Sequence, residues 1–241
     1  GLVCFCGGGV FLWVLLVWGC GLTAWVPLGT DRARAGRAFT VTGRATTPPP
    51  ARDAGACVLD PQGRASFRGK GVVVPRFEDI LLAFPGMRLN VEAKEALVAG
   101  PMVEIIRRHG AEDRVLVAAE HERSRRAARG YPGPWGASRS QVVPFWLLHR
   151  LPGQGGYLPG VDILQVPETW RGLRVVTPNF VRAAHRRNLP VQVWTVDDPD
   201  RMRRLLSWGV DGIHTDRPDI LARVLHEETG RPLPPGAEAE A

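Results

Sequence analysis

The clearest hydrophobic pattern in the chain is the alternating stretch Arg-Leu-Asn-Val-Glu-Ala-Lys at residues 88–94. Side chains on a strand point to opposite faces in turn, so this stretch predicts a strand with one apolar and one polar face. A strand at the protein surface would show the same pattern. At least four further strand-like segments follow, however, with helical stretches between them. That order favours a parallel sheet buried on both faces, in which Glu92 and Lys94 would need partners.

Apolar residues spaced three and four apart predict helices between these strands, and two helices carry clear start signals. Thr177 and Asp198 are each followed by proline, and both residue types accept hydrogen bonds from the first turn of a helix. From Leu89 onward the chain shows about six strand–helix units. We expect helices at 76–84, 96–109, 121–129, 141–149, after 177, after 198 and at 218–225, and strands at 88–94, 115–119, 135–138, 162–166, 191–196 and 210–215, with 173–176 continuing the layer of the strand at 162–166.

The first 53 residues lack this organisation. Residues 1–28 carry no charged side chain, and residues 2–27 are long enough to span a bilayer. Three explanations stay open: a membrane anchor or uncleaved signal, a non-native stretch produced by truncation or a reading-frame error, and apolar strands that complete the fold. Residues 30–53 are rich in arginine, threonine and proline, which predicts a linker or a disordered segment. We therefore divide the chain into an irregular, poorly ordered region (1–53), a strand–helix domain (54–230) and a polar tail (231–241).

Four motifs follow one another in order within the strand–helix domain. They are Asn-Val-Glu-Ala-Lys at 90–94, Leu-Gln-Val-Pro at 164–167, Val-Trp-Thr-Val-Asp at 193–197 and Gly-Val-Asp-Gly-Ile-His-Thr-Asp-Arg-Pro at 209–218. In order and spacing they resemble motifs of the glycerophosphodiester phosphodiesterase family, and the resemblance covers roughly residues 72–225. It implies an α/β fold, an incomplete TIM-type (β/α)8 barrel with about six recognisable βα units, preceded by an irregular apolar N-terminal stretch.

The resemblance also implies a reaction, the metal-assisted hydrolysis of glycerophosphodiesters to an alcohol and glycerol 3-phosphate in lipid metabolism. The family holds a divalent cation, Ca²⁺ or Mg²⁺, with three carboxylates, and uses two histidines, one of them as general acid. By match to the motifs, Glu92 would be a metal ligand, Lys94 a phosphate contact and Trp194 part of the substrate pocket. A structural ion pair between Glu92 and Lys94, and core packing of Trp194, would explain the same residues without a ligand.

The family motifs that carry the other catalytic groups are absent from residues 1–75. His-Arg-Gly, Glu-Leu-Asp and His-Asp do not occur there, and no histidine precedes His109. A general acid typically contributes about 10²–10⁴-fold to the rate, and a single carboxylate should bind a cation poorly. We therefore assign no catalytic residue and expect impaired turnover, with a catalytically dead pseudoenzyme or a phosphate- or lipid-binding remnant as the alternative. His214 replaces the aliphatic residue usual in the family motif, and a buried or capping role is its commoner explanation.

The net charge of the chain adds little to this interpretation of its function. The net charge of +7 and the isoelectric point near 10.0 are compatible with nucleic-acid or membrane-surface binding. No aromatic residues are interleaved with a basic stripe, and a chain rich in arginine, alanine, glycine and proline is also typical of GC-rich coding sequence. We expect a small-molecule glycerophosphodiester as partner, no nucleic acid, and membrane contact only through residues 2–27. The compartment, cytoplasmic or membrane-associated, stays open, and the four cysteines lack metal-binding spacing.

Overall fold

The computed structural model describes residues 62–71, 76–150 and 157–234, together with the backbone of three N-terminal strands. These strands are β1 (Leu2–Phe5), β2 (Phe11–Trp18) and β3 (Gly21–Ala24). They lie in the stretch that we expected to be irregular, and β2 contains phenylalanine, tryptophan and valine, which favour strands. The predicted linker at 30–53 and the last residues of the tail, 235–241, lie outside the described residues. The division of the chain at residues 53 and 54 stays a prediction.

The described chain forms two compact units, residues 14–133 and residues 134–241 with 1–13, which we call the N-terminal and the C-terminal unit. In the N-terminal unit, β4 (Arg88–Ala93) and β5 (Val115–Ala118) are parallel, and Leu89 pairs with Val115. The strand order of this sheet is β3-β2-β4-β5. Its helices are α1 (Phe77–Ala83), α2 (Ala96–Arg108) and α3 (Glu122–Ala127).

Strand β4 confirms the predicted alternation. Leu89, Val91 and Ala93 are buried, whereas Glu92 on the opposite face is only partly buried. Helix α2 buries a stripe of residues three and four positions apart, because one face of a helix repeats at that spacing. The buried residues of this stripe are Ala99, Met102, Val103 and Ile106.

The C-terminal unit contains the helices α4 (Arg139–Leu148), α5 (Pro178–His185), α6 (Pro199–Ser207) and α7 (Pro218–Thr229). Its larger sheet combines β1 with β6 (Leu164–Pro167), β9 (Val191–Trp194) and β10 (Gly212–Thr215) in the order β1-β10-β9-β6. Strands β6, β9 and β10 are parallel, whereas β1 is antiparallel to β10. The short strands β7 (Thr169–Trp170) and β8 (Leu173–Arg174) form a separate hairpin.

Two strand predictions were wrong. Residues 135–138 form no strand, and Gly136 makes only an isolated parallel bridge to Ile163. Residues 173–176 do not continue the layer of β6, because Leu173 and Arg174 pair with β7 instead. The Arg-Gly dipeptide at 171–172 reverses the chain there: both residues have positive φ, 49° and 79°, as a tight hairpin turn requires.

Both predicted helix caps of the C-terminal unit are confirmed. The side chain of Thr177 accepts a hydrogen bond from the backbone N–H of Phe180 at 3.1 Å, and Asp198 accepts one from Arg201 at 2.8 Å. These bonds satisfy amide donors that have no partner within the helix. They anchor α5 and α6 above a core in which Phe180 meets Phe145 edge-on, with ring centroids 5.3 Å apart.

The α/β class is confirmed, but the described strands form two four-stranded sheets and a hairpin rather than one closed barrel. A parallel barrel needs a parallel neighbour on each side of every strand. Strand β1 occupies one side of β10 in the antiparallel sense, with Leu2 opposite Thr215. None of the helices in the described part of the chain is both long enough and apolar enough to cross a membrane.

Candidate functional site

Glu92 and Lys94 are brought together on the polar face of β4. Glu92 lies on that face of the strand, and Lys94 directly follows the strand with its Nζ 2.7 Å from Glu92 Oε1. About four fifths of each side chain is buried, with 20% of Glu92 and 21% of Lys94 exposed. Partial burial strengthens the attraction between the two charges and favours a fixed geometry. The structural ion pair that we considered as an alternative is therefore present. It does not exclude an additional contact between Lys94 and a phosphate group.

Asn90 lies two residues before Glu92 and shares its face of β4. Its Oδ1 atom is buried, and within the described part of the chain it accepts no hydrogen bond. A buried polar atom without a partner costs free energy, so such atoms are rare in proteins and often mark a binding position. We assigned no role to Asn90 from the sequence, although its place on the polar face of the strand was visible there.

The acidic residues of the described chain do not fit a divalent cation. Ca²⁺ takes six to eight oxygen ligands, several of them carboxylates, and Mg²⁺ takes six, commonly one or two carboxylates together with water and substrate phosphate. Glu92 is paired with an ammonium group, and no cluster of three or more His, Cys, Asp or Glu side chains that could hold a metal ion occurs among the described residues. The described residues therefore contain no three-ligand group for such a cation, and weak cation binding stays a prediction.

Trp194 lies in the C-terminal unit, at the last position of β9. Its side chain is 44% exposed, so core packing does not account for it. The preceding residue on the same face, Gln192, is 1% exposed. The face of the sheet that ends in Trp194 therefore begins in a closed interior and opens at the carboxyl end of the strand, where parallel α/β proteins bind their ligands.

A row of polar side chains crosses three parallel strands below Trp194. Gln192 Oε1 accepts a hydrogen bond from Gln165 Nε2 at 2.7 Å and lies 2.9 Å from His214 Nε2, which donates because the oxygen can only accept. Burial lowers the pKa of His214 to about 3, so its imidazole is neutral near pH 7. Gly212 makes room for the row, since a Cβ atom there would lie 3.1 Å from Gln192 Cγ.

Residues of two of the motifs are joined by hydrogen bonds at the carboxyl ends of β9 and β10. Asp197 Oδ1 accepts hydrogen bonds from the Thr215 hydroxyl at 2.8 Å and from the backbone N–H of Asp216 at 2.7 Å. Neighbouring parallel strands end side by side, so one short carboxylate can reach both groups. These contacts show that Asp197 and Thr215 hold the strand ends together.

The sequence of this chain is similar to those of known proteins. The sequence pattern of the Glycerophosphoryl diester phosphodiesterase family matches residues 153–220. A probable glycerophosphodiester phosphodiesterase 2 from Mycobacterium tuberculosis is 39% identical over 168 residues, which cover 67% of this chain and 64% of the relative. A glycerophosphodiester phosphodiesterase from Arabidopsis thaliana is 38% identical over 102 residues, 37% of this chain and 31% of the relative. The chain belongs to the glycerophosphoryl diester phosphodiesterase family.

Two crystal structures support the fold. The glycerophosphoryl diester phosphodiesterase domain of a Mycobacterium tuberculosis protein superposes with a TM-score of 0.58 at 16% identity, covering 91% of this chain and 89% of that domain. A glycerophosphodiester phosphodiesterase from Agrobacterium tumefaciens gives a TM-score of 0.53 at 19% identity, covering 88% of this chain and 84% of that protein. The chain spans less than two thirds of the two relatives found by sequence, 64% and 31% of their lengths.

Within the family-matched region, Glu168 forms a buried charge cluster that the sequence did not reveal. Its side chain is 5% exposed and lies 2.6 Å from Arg201 and 2.7 Å from Arg204, two residues of α6. Burial by itself would raise the pKa of Glu168, but hydrogen bonds and charge from the two arginines outweigh it and lower the pKa. Glu168 directly follows β6, so the cluster attaches the end of this strand to α6.

Replacing Glu168 with glutamine is expected to lower the free energy of unfolding by about 2 kcal/mol. The largely buried carboxylate that accepts two charge-assisted hydrogen bonds is then replaced by a neutral amide. Urea unfolding at pH 7 measures the loss. Glu227→Gln is the matched control, since Glu227 also pairs with an arginine at 2.6 Å but is 53% exposed. Exposed pairs contribute at most about 1 kcal/mol. Equal losses in the two variants would contradict the stabilising role of the buried cluster.

Proposed function

We propose that this protein is a phosphoric diester hydrolase of the glycerophosphodiester phosphodiesterase type, with impaired turnover in this chain. The reaction would release an alcohol and glycerol 3-phosphate from a small-molecule glycerophosphodiester and would serve lipid metabolism. The supporting observation is the partly buried pair of Glu92 and Lys94 on the family's motif strand. We further propose the incomplete (β/α)8 barrel with about six βα units that the family resemblance implies.

Lys94 is the residue proposed to bind the substrate phosphate. A phosphodiester carries one negative charge, and an ammonium group donates up to three hydrogen bonds. Glu92 orients this ammonium group, because its carboxylate lies 2.7 Å away and both side chains are mostly buried. When a phosphate approaches, Lys94 can keep one hydrogen bond to Glu92 and donate another to a phosphate oxygen.

Asn90 in the N-terminal unit and Trp194 in the C-terminal unit are further candidate substrate contacts, each proposed from its own surroundings. The buried Asn90 Oδ1 is an acceptor that a glycerol hydroxyl could satisfy. Trp194 offers an exposed indole to the carbon skeleton of the substrate. The family generally depends on a metal ion, and Glu92 is the ligand that the family motif implies, so we propose that turnover depends on Ca²⁺ or Mg²⁺.

The experiment is a measurement of glycerol 3-phosphate release from glycerophosphocholine and glycerophosphoethanolamine by the purified chain, with and without Ca²⁺ or Mg²⁺. Lys94→Met is expected to lower kcat/KM by about 10–100-fold, because one charge-assisted hydrogen bond contributes about 1.5–3 kcal/mol. Glu92→Gln is expected to abolish any cation-dependent turnover. Glu104→Gln, at an exposed position of α2, is the control that should retain wild-type activity.

Full activity of both site variants would contradict the proposed roles. The structural alternative predicts a different result: loss of the pair would lower the free energy of unfolding while kcat/KM stays unchanged. Measuring urea unfolding of the same proteins separates the two, because a substrate role changes turnover even where the variants remain folded.

A non-catalytic phosphate-binding protein is the second candidate. It is favoured by the missing histidine motifs of residues 1–75 and by the lack of a three-ligand acidic group among the described residues. Calorimetric titration with glycerol 3-phosphate distinguishes it from the hydrolase. Binding that Lys94→Met removes, without any product release by the wild-type chain, would support this candidate over the enzyme.

A further inference from the structure

The hairpin of β7 and β8 presents an apolar pair next to its turn. Trp170 is paired directly with Leu173, so the two side chains lie on the same face of the ribbon. They are 42% and 54% exposed. The two turn residues between them, Arg171 and Gly172, have positive φ, which is typical of a two-residue hairpin turn. The turn therefore holds an exposed tryptophan and leucine side by side in a defined geometry.

Arginines surround this apolar pair. The guanidinium of Arg171 lies 4.9 Å from the centre of the Trp170 ring, and that of Arg139 lies 5.3 Å from it. On the other face of the ribbon, Arg174 lies 5.8 Å from the ring centre of Trp208. Within the described part of the chain, Arg171 and Arg174 contact indole rings and form no ion pair with a carboxylate. The positive charge at the hairpin is therefore available to an external anion.

Helix α4 extends the apolar surface beyond the hairpin. Arg139, Val143 and Leu147 are spaced four residues apart, which places them on one face of the helix. Val143 is 46% exposed and Leu147 is 56% exposed, while Arg139 contacts Trp170. The two elements thus form one surface that combines aliphatic, indole and guanidinium groups. We call it the hairpin patch, and it consists of Arg139, Val143, Leu147, Trp170, Arg171, Leu173 and Arg174.

We propose that the hairpin patch docks the protein onto an anionic lipid bilayer surface. Tryptophan prefers the boundary between headgroups and acyl chains. Exposed leucine and valine side chains lower the free energy of binding when their apolar surface leaves water there. Arginines beside them attract anionic headgroups. A nucleic acid would use the arginines and the indole, but it offers no apolar interior to Val143, Leu147 and Leu173. This peripheral contact is separate from the membrane span considered for residues 2–27, and it goes beyond the proposed hydrolysis.

The test is co-sedimentation of the full 241-residue chain with vesicles of phosphatidylcholine alone or mixed equally with phosphatidylglycerol. Arg171→Gln/Arg174→Gln is expected to weaken binding to the anionic vesicles by roughly 25-fold, since each arginine near such a surface contributes about fivefold. Trp170→Ala should weaken binding by at least about tenfold, because the exposed indole that would enter the bilayer surface is removed. Arg203→Gln/Arg223→Gln removes the same charge from α6 and α7, where both arginines are ion-paired, and should bind like the wild type.

Three results would overturn the proposal: no binding of the wild type to anionic vesicles, equal binding to both vesicle types, or equal loss in the control variant. Binding to a DNA oligonucleotide in the absence of vesicle binding would assign the patch to nucleic acid instead. Thermal unfolding confirms that each variant is folded. Vesicle binding is measured without turnover, so failure of the hydrolase proposal and failure of the docking proposal give separate readouts.

Discussion

Phe180→Ala is expected to lower the free energy of unfolding by about 4 kcal/mol, a value typical of removing a fully buried phenylalanine. The side chain has no exposed surface, and its ring meets Phe145 and His149 edge-on at 5.3 Å and 5.4 Å. The substitution would leave a cavity between α4 and α5 that the helices cannot close without losing their other contacts. The loss would therefore include the cavity as well as the buried surface.

Urea unfolding followed by circular dichroism at pH 7 measures this effect. Leu158→Ala is the matched control because Leu158 is a large apolar residue of the same unit with 62% of its surface exposed. Its truncation should change the free energy of unfolding by no more than about 0.5 kcal/mol. A loss below about 1 kcal/mol for Phe180→Ala would mean that the two aromatic contacts do not hold α4 and α5 together in solution.

Stability is expected to fall steeply with acid because His214 is buried in its neutral form. Its pKa is lowered from an ordinary 6.5 to about 3 in the folded protein. Between these values the unfolded chain binds a proton that the folded chain does not, so protonation favours unfolding. The contribution of His214 is complete above pH 6.5 and declines as the pH falls toward 3, by up to about 1.4 kcal/mol per pH unit.

His214→Val tests this prediction, because valine restores the aliphatic character of the family motif and removes the titrating group. Free energies of unfolding at several pH values between 6.5 and 4.5 should show a decline in the wild type that exceeds that of the variant by about 2 kcal/mol. Burial also lowers the pKa of His149, but this histidine is present in both proteins and its effect cancels. Parallel pH profiles for the two proteins would show that His214 is not buried as a neutral group.

The lower limit of that range, pH 4.5, separates the effect of His214 on stability from the effect of Glu168. The pKa of Glu168 is lowered below its ordinary 4.5, so its contribution to stability is present above that pH and is lost only as the pH falls further, through the folded-state pKa. A decline between pH 6.5 and 4.5 therefore reports on histidine. The additional decline below pH 4.5 in Glu168-containing proteins, relative to Glu168→Gln, reports on the arginine cluster.

The candidate site was predictable only where its groups are close in the chain. Glu92 and Lys94 are two residues apart, so the predicted alternation places them on one face, and their charged groups lie 2.7 Å apart although β4 ends at Ala93. The cluster of Glu168 with Arg201 and Arg204 joins residues 33 and 36 positions apart. No local pattern marks such a pairing, because any of the many arginines of this chain could have been the partner.

Strand partners were likewise beyond local patterns. The Arg-Gly turn at 171–172 takes Leu173 into a hairpin, although its apolar character fitted a continuation of the layer of β6. The antiparallel pairing of β1 with β10 depends on residues more than 200 positions apart. A strand exposes hydrogen-bonding groups on both edges, and its sequence does not state which other strand will satisfy them.

By itself the sequence determined the α/β class, the alternation of β4, the caps at Thr177 and Asp198 and the membership of the family, because each depends on neighbouring residues or on short motifs. Tertiary structure alone decided the arrangement in two sheets, the polar row that ends at His214, the charge cluster at Glu168 and the hairpin patch. In each of these, groups distant in the chain are brought together by packing. Their burial and charges depend on which partners the fold supplies, and a linear pattern of apolar and polar residues does not contain that information.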